Sequence, residues 1–149
     1  MEFKIISFGK FPKISPHKDL FNEYKKRISC RIDLIELKKE SNVKNKVNNE
    51  KVIIDQYSGL LKDFIILDKK GLNLSSQNLS EYINRKMRDR YKQMVFFIGG
   101  ADGLSSDLTN TKTCFSFGNQ TWPHLLVRVM LIEQVYRALC ILKSHPYHK

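Results

Sequence analysis

Five short apolar runs, separated by stretches of a different period, constrain the fold of this 149-residue chain more than any other feature. Glu2–Phe8, Arg31–Leu37, Phe64–Leu67, Val95–Ile98 and Thr113–Phe117 have the length and composition of strands. Between them, apolar residues recur at helical spacing. Leu20, Phe21, Tyr24 and Ile28 form one such face, and Val52, Ile53, Gln56, Leu60 and Leu61 a second. Leu79, Tyr82, Ile83 and Met87 form a third, with Ser75 or Ser76 placed to cap it. Pro123 suits the first turn of a last helix, which runs to about Leu142. Gly9–Pro16 reads as a loop, Asp68-Lys69-Lys70-Gly71 as a turn, and Leu104–Asn110 as a short helix or turn. The polar, basic, Asn-rich stretch Lys38–Asn49 reads as a mobile segment. This alternation predicts an α/β fold, a mainly parallel sheet flanked by helices, in one domain over residues 1–149. Open sheets of this kind hold ligands outside the carboxyl ends of their strands. Three such ends stand out: Leu67-Asp68, Ile98-Gly99-Gly100 and Phe117-Gly118-Asn119.

The glycine-rich loop "IGGADGL" after the fourth strand invites comparison with phosphate cradles. A Walker loop needs a lysine and a hydroxyl residue after its last glycine, but Gly103 is followed by Leu104 and Ser105. A dinucleotide fingerprint needs a different glycine spacing, and Asp102 would repel a phosphate. A tight turn, or a wall against an uncharged or cationic ligand, remains open.

The chain carries a formal net charge of +11, most of the excess before residue 94. Lys25-Lys26-Arg27, Lys38, Lys39, Lys44 and Lys46, and the run Arg85, Lys86, Arg88, Arg90 and Lys92 are the clusters. Such a field attracts nucleic acid, although lysine-rich faces can also serve only to solvate a protein. Glu2 and Lys4 interrupt any secretory leader, and Leu125–Leu142 is too polar for a membrane span. Cys30, Cys114 and Cys140 have no paired spacing and read as reduced cytosolic thiols. The last helix is apolar nearly all round, which suggests burial both by the sheet and by a partner subunit. In the tail "SHPYHK", His145 and His148 lack a third metal ligand, so no metal is expected.

Three segments, "FFIGGADGL", "SFGNQTWPHLLVRVMLIEQVYRA" and "HPYHK", resemble the RlmH family of SPOUT-class methyltransferases, which act on N3 of a pseudouridine in 23S rRNA. "FKIISFGK", "EYKKR" and "IILDKKG" fit in order, so the resemblance spans nearly the whole chain. It implies a C-terminal trefoil knot, a homodimer with the terminal helix at its interface, and the assembled ribosome as substrate. It implies S-adenosylmethionine held by Leu67, Gly99, Gly100, Phe117, Gly118, Asn119, Gln120, Thr121 and Trp122. Many relatives carry serine where this chain has Gly118, which moves any hydroxyl contact elsewhere. His148 is the candidate proton acceptor, with Tyr147 stacking on or hydrogen-bonding the base and Arg128 or Arg137 holding a phosphate or polarising a carbonyl. Arg85, Lys86, Arg88, Arg90, Lys38 and Lys39 are candidate RNA contacts. No membrane is implied, and the compartment is the cytoplasm. A non-catalytic RNA- or ribosome-binding protein of the same fold, and a flavodoxin-like nucleotide-binding enzyme, are rivals that cofactor binding would separate.

Overall fold

A computed structural model describes residues 1–38, 43–99 and 113–148. Five strands form one all-parallel sheet: β1 (Glu2–Phe8), β2 (Ile32–Leu37), β3 (Lys62–Asn73), β4 (Gln93–Ile98) and β5 (Thr113–Ser116), in the order β2-β1-β4-β3-β5. Among the described residues four helices accompany them: α1 (Pro16–Arg27), α2 (Val43–Tyr57), α3 (Ser76–Arg88) and α4 (His124–Leu142). The α/β parallel-sheet expectation therefore holds. Among the described residues no helix is long and apolar enough to cross a membrane.

The centre of the sheet explains its sequence. All six residues of β4 are buried, because β4 is covered on both faces. Met94, Phe96 and Ile98 face the core shared with α1, α3 and α4, while Val95 and Phe97 join Ile53 and Ile54 of α2 on the other side. The helices begin where local chemistry allows. Ser15 caps α1 by accepting from Lys18 N (3.3 Å), with Pro16 first in the helix, and Ser75 caps α3 by accepting from Asn78 N (3.1 Å). Both helices end in basic residues, which suits the negative end of the helix dipole.

Three local expectations change. First, β3 does not stop at Leu67. Leu67 and Leu72 both pair with Phe115, so Asp68–Gly71 is an out-looped bulge inside one long strand. It reads as a turn because locally it contains one: Lys70 N donates to Asp68 Oδ1 (3.0 Å). Second, α2 begins inside the stretch read as mobile. Third, α2 ends at Tyr57, so Leu60 and Leu61 do not extend its face. Leu60 is 92 % exposed and Leu61 has φ 60°, in a turn where Lys62 N donates to Gly59 O. The short helix or turn expected over 104–110 lies outside the described residues.

Candidate functional site

The carboxyl ends of β4 and β5 meet β3 at Leu67, the last residue before its bulge rather than the strand end the sequence suggests. Leu67 pairs with Ile98 on one side and Phe115 on the other, so one row of the sheet brings the bulge of β3 beside the ends of β4 and β5. A cavity of about 450 Å³ opens beside them, within the size range of small-molecule sites. Leu67, Phe115 and Phe117 supply its sheet wall, Ser75, Ser76 and Leu79 of α3 a second wall, and Met130, Glu133 and Gln134 of α4 a third. The N-terminal turn of α3 thus opens toward it.

Of the expected cofactor residues, Leu67 and Phe117 line this cavity, and Gly99 follows β4, half-buried and outside the lining. Gly118 is half-buried, whereas Asn119, Gln120, Thr121 and Trp122 are exposed, and none of these five residues lines the cavity. Gly118 has φ 101°, a conformation that favours glycine, and a Cβ there would meet nothing within 4 Å. The hydroxyl that organises this loop belongs to Ser116: its Oγ accepts from Gly118 N (3.0 Å) and lies 2.8 Å from Gly118 O. Trp122 Nε1 donates to Phe117 O (3.3 Å), tying the indole back to the end of β5. Gly100 and Lys39 lie outside the described residues.

The tail returns to the cavity along α4. Tyr147 packs at a tilt against Tyr136, with ring centroids 4.7 Å apart and planes inclined by 60°, under the Arg137 guanidinium. Its hydroxyl donates to Glu133 Oε1 (3.1 Å) and lies 3.3 Å from the Tyr24 hydroxyl. Burial first, then these two bonds, push the Tyr147 hydroxyl above its ordinary range, so it stays a proton donor at neutral pH. Glu133 Oε1 also accepts from Arg137 Nε (2.8 Å), and its Oε2 accepts from Gln134 Nε2 (2.7 Å). Ser76 Oγ donates to Gln134 Oε1 (2.7 Å). One polar chain therefore joins α3, the cavity wall on α4, the tail and α1. His148 is exposed beside it, its backbone N–H donating to His145 O.

Sequence reasoning did not find Glu133, Gln134, Ser76 or Tyr24. The i,i+4 spacing of Glu133 and Arg137 was the available signal, but it is also the ordinary mark of a solvated helix pair.

Arg128 is placed differently from the expectation of a substrate contact. It is fully buried; Nη1 donates to Glu36 Oε1 (3.0 Å), and Nη2 donates to Phe8 O and Gly9 O (both 2.8 Å). The guanidinium also lies over the Phe11 ring, and Phe11 N donates to Glu36 Oε1. Arg128 thereby locks the carboxyl end of β1 to α4. Burial lowers its pKa, and Glu36 opposes that shift.

The candidate RNA residues divide by position. Lys38 is exposed at the carboxyl end of β2. Arg85, Lys86, Arg88 and Arg90 sit at the opposite end of the sheet: Lys92 N donates to Leu61 O before β3, and Lys92 O accepts from Glu2 N. A six-residue strand, roughly 20 Å, separates that end from Gly99. Lys86 is also committed inside the chain, 2.9 Å from Asp63 Oδ1 and over the Tyr91 ring.

The family described as predicted SPOUT methyltransferase matches residues 1–148. Proteins named ribosomal RNA large subunit methyltransferase H are similar over their whole length. Those of Clostridium perfringens and Mycoplasma capricolum are 39 % and 40 % identical, with all of both chains covered. That of Afipia carboxidovorans is 33 % identical, over all of this chain and 99 % of its own. A parallel sheet whose strand ends frame a ligand-sized cavity accords with these matches, and the chain belongs to the SPOUT methyltransferase family.

Proposed function

We propose that this chain, as a single domain, uses S-adenosylmethionine to methylate N3 of a pseudouridine in 23S rRNA of the assembled ribosome. It would do so as a cytoplasmic homodimer whose C-terminal part is threaded as a trefoil knot. The observation that supports this reading is that Leu67 and Phe117 line one cavity at the carboxyl side of the sheet, in a chain similar end to end to proteins named for rRNA methylation.

The residues suit the cofactor. Leu67, Phe115 and Phe117 offer flat apolar walls for an adenine ring, and Gly118 leaves its backbone open to close approach. When bound, S-adenosylmethionine supplies an electrophilic methyl on a charged sulfur. The chain's own residues then have separable tasks. Tyr147 orients the base by stacking on it or by exchanging its bond to Glu133 for one to the base. Exposed His148 stands next to it to accept the N3 proton. Arg128 acts as a positioning residue, holding β1 and its following loop in register with α4.

Two measurements test this. Titration calorimetry should show S-adenosylmethionine binding, and no heat at millimolar ligand would end the methyltransferase reading. Labelled methyl should then pass to ribosomes from a strain lacking the modification; cofactor binding without that transfer would point to another RNA. His148→Ala should lose turnover while keeping cofactor affinity. Unchanged turnover would remove His148 from proton transfer.

A further inference from the structure

The basic residues that leave the carboxyl edge of the sheet are not the cluster that dominates the sequence. Lys10 and Lys13 follow β1, Lys38 follows β2, and Lys69 and Lys70 stand in the β3 bulge. All five are exposed, and among the described residues none of them forms an ion pair. All leave the carboxyl edge of the sheet, the edge at which the cavity opens.

Both main segments are held rigidly. In the β1–α1 loop, Gly9 N donates to Leu37 O (2.7 Å), and Arg128 grips Phe8 O and Gly9 O. Phe11 is buried against Phe21, and Ser15 is buried as the cap of α1. Lys10 and Lys13 therefore stand between fixed points. In the bulge, the Lys70 amide is tied to Asp68, and Ser116 Oγ lies 3.4 Å from Lys69 O. Gly71 is pressed so closely on β5 that a Cβ would come within 2.6 Å of the Phe115 carbonyl carbon. Two strand spacings, about 10 Å, separate β1 from β3, with the β4 end and Gly99 between them. Lysines on anchored backbone lose less freedom when they engage a partner than lysines on loose loops.

We propose that Lys10, Lys13, Lys38, Lys69 and Lys70 form the phosphate-contacting edge that seats RNA over the cavity, and that the Arg85–Lys92 cluster does not. The proposal rests on the rRNA reading above. Arg85, Arg88 and Arg90 lie at the amino edge, beyond reach of RNA phosphates flanking a nucleotide at the cavity unless the RNA wraps the whole sheet.

The test compares two variants on ribosomes purified from a strain lacking the methylation. One carries Lys10→Gln, Lys13→Gln, Lys69→Gln and Lys70→Gln; the other carries Arg85→Gln, Arg88→Gln and Arg90→Gln. Affinity is measured by co-sedimentation over a salt series, with S-adenosylmethionine titration as a check of the fold. The lysine variant should bind about tenfold or more weakly near 0.1 M salt, its log–log salt slope falling by about one for each phosphate that is no longer neutralised. The arginine variant should stay within about twofold. Equal weakening in both, greater weakening in the arginine variant, or an unaffected lysine variant overturns the proposal. The pairs Lys10/Lys13 and Lys69/Lys70 are also changed separately, so that damage to one loop leaves the other to carry the same test. Failure of the unaltered protein to bind or methylate ribosomes removes the rRNA reading itself. Normal binding of the unaltered protein with an unaffected lysine variant removes only this surface.

Discussion

The guanidinium of Arg128 sits wholly out of solvent with three of its hydrogen bonds made inside the chain. Removing such a group strands what it satisfied: the Glu36 carboxylate and two carbonyls at the end of β1. Breaking one half of a buried pair costs several kcal/mol, although Glu36, 26 % exposed, recovers part of its hydration. Arg128→Met should therefore destabilise the fold by about 2–4 kcal/mol in chemical denaturation. Adding Glu36→Gln should cost less than the two single effects summed, and strict additivity would show the pair to be uncoupled. Gly71 makes a different demand. The backbone of Phe115 and Cys114 occupies the space a Cβ would need, at 2.6 and 2.7 Å, so β3 must move away from β5 to admit one. Gly71→Ala should cost roughly 1–3 kcal/mol by overpacking. Cofactor affinity should fall with it, because the displaced pairing includes Leu67 and Phe115 on the cavity wall; unchanged affinity would show that the bulge and the cavity are mechanically separate.

Elements explain why one of the most basic runs of the sequence is partly spent on stability. The last turn of α3 lies over the start of β3, where Asp63 is buried, accepts from Tyr82 Oη (2.7 Å) and faces Lys86 Nζ. Burial first, then the bond to Asp63, pushes the Tyr82 hydroxyl up to about 12 from an ordinary 10. The unfolded chain ionises this phenol near pH 10 while the folded chain holds the proton. The stabilisation is thus complete below pH 10 and lost as pH rises toward 12. Tyr82→Phe should flatten the fall of the denaturation midpoint between those pH values; an equally steep fall would show that Tyr82 does not contribute to it. Element types were legible because strands buried on both faces, such as β4, and capped helices, such as α1 and α3, follow from local pattern. The β3 bulge was not legible, since Asp68–Gly71 satisfies turn chemistry while the chain on either side pairs with the same residue of β5. Leu67 and Phe117 were readable as residues of the site, although Leu67 precedes a bulge rather than ending β3, and Phe117 follows the end of β5. Tyr147 was readable from the family's tail, but its partner Glu133 emerges only when the tail folds back along α4.

Across the whole molecule, α4 is where apolar sequence exceeds what one sheet face can cover. Much of that excess is absorbed within the chain: α4 packs between α1 and α3, with Val129, Leu131, Ile132, Val135 and Ala138 in the shared core. Leu126 and Met130, one turn apart, are half-buried and belong to neither apolar cluster. They mark the face of α4 that the proposed homodimer would cover, and Met130 also lines the cavity. Sedimentation equilibrium should give twice the chain mass of 17.5 kDa. An aspartate at position 126 would place an unpaired charge against its own copy across a two-fold interface, where a buried charge without a partner is strongly unfavourable. Leu126→Asp should therefore raise the dimer dissociation constant by about tenfold or more while leaving the thermal transition of the monomer intact, since Leu126 is not in the core. If the seam runs beside Met130, S-adenosylmethionine affinity in this variant becomes dependent on protein concentration, rising as dimer is restored. A wild-type chain that sediments at 17.5 kDa at every concentration would place this face of α4 outside any self-interface, and a dimer unmoved by Leu126→Asp would place the seam on another element.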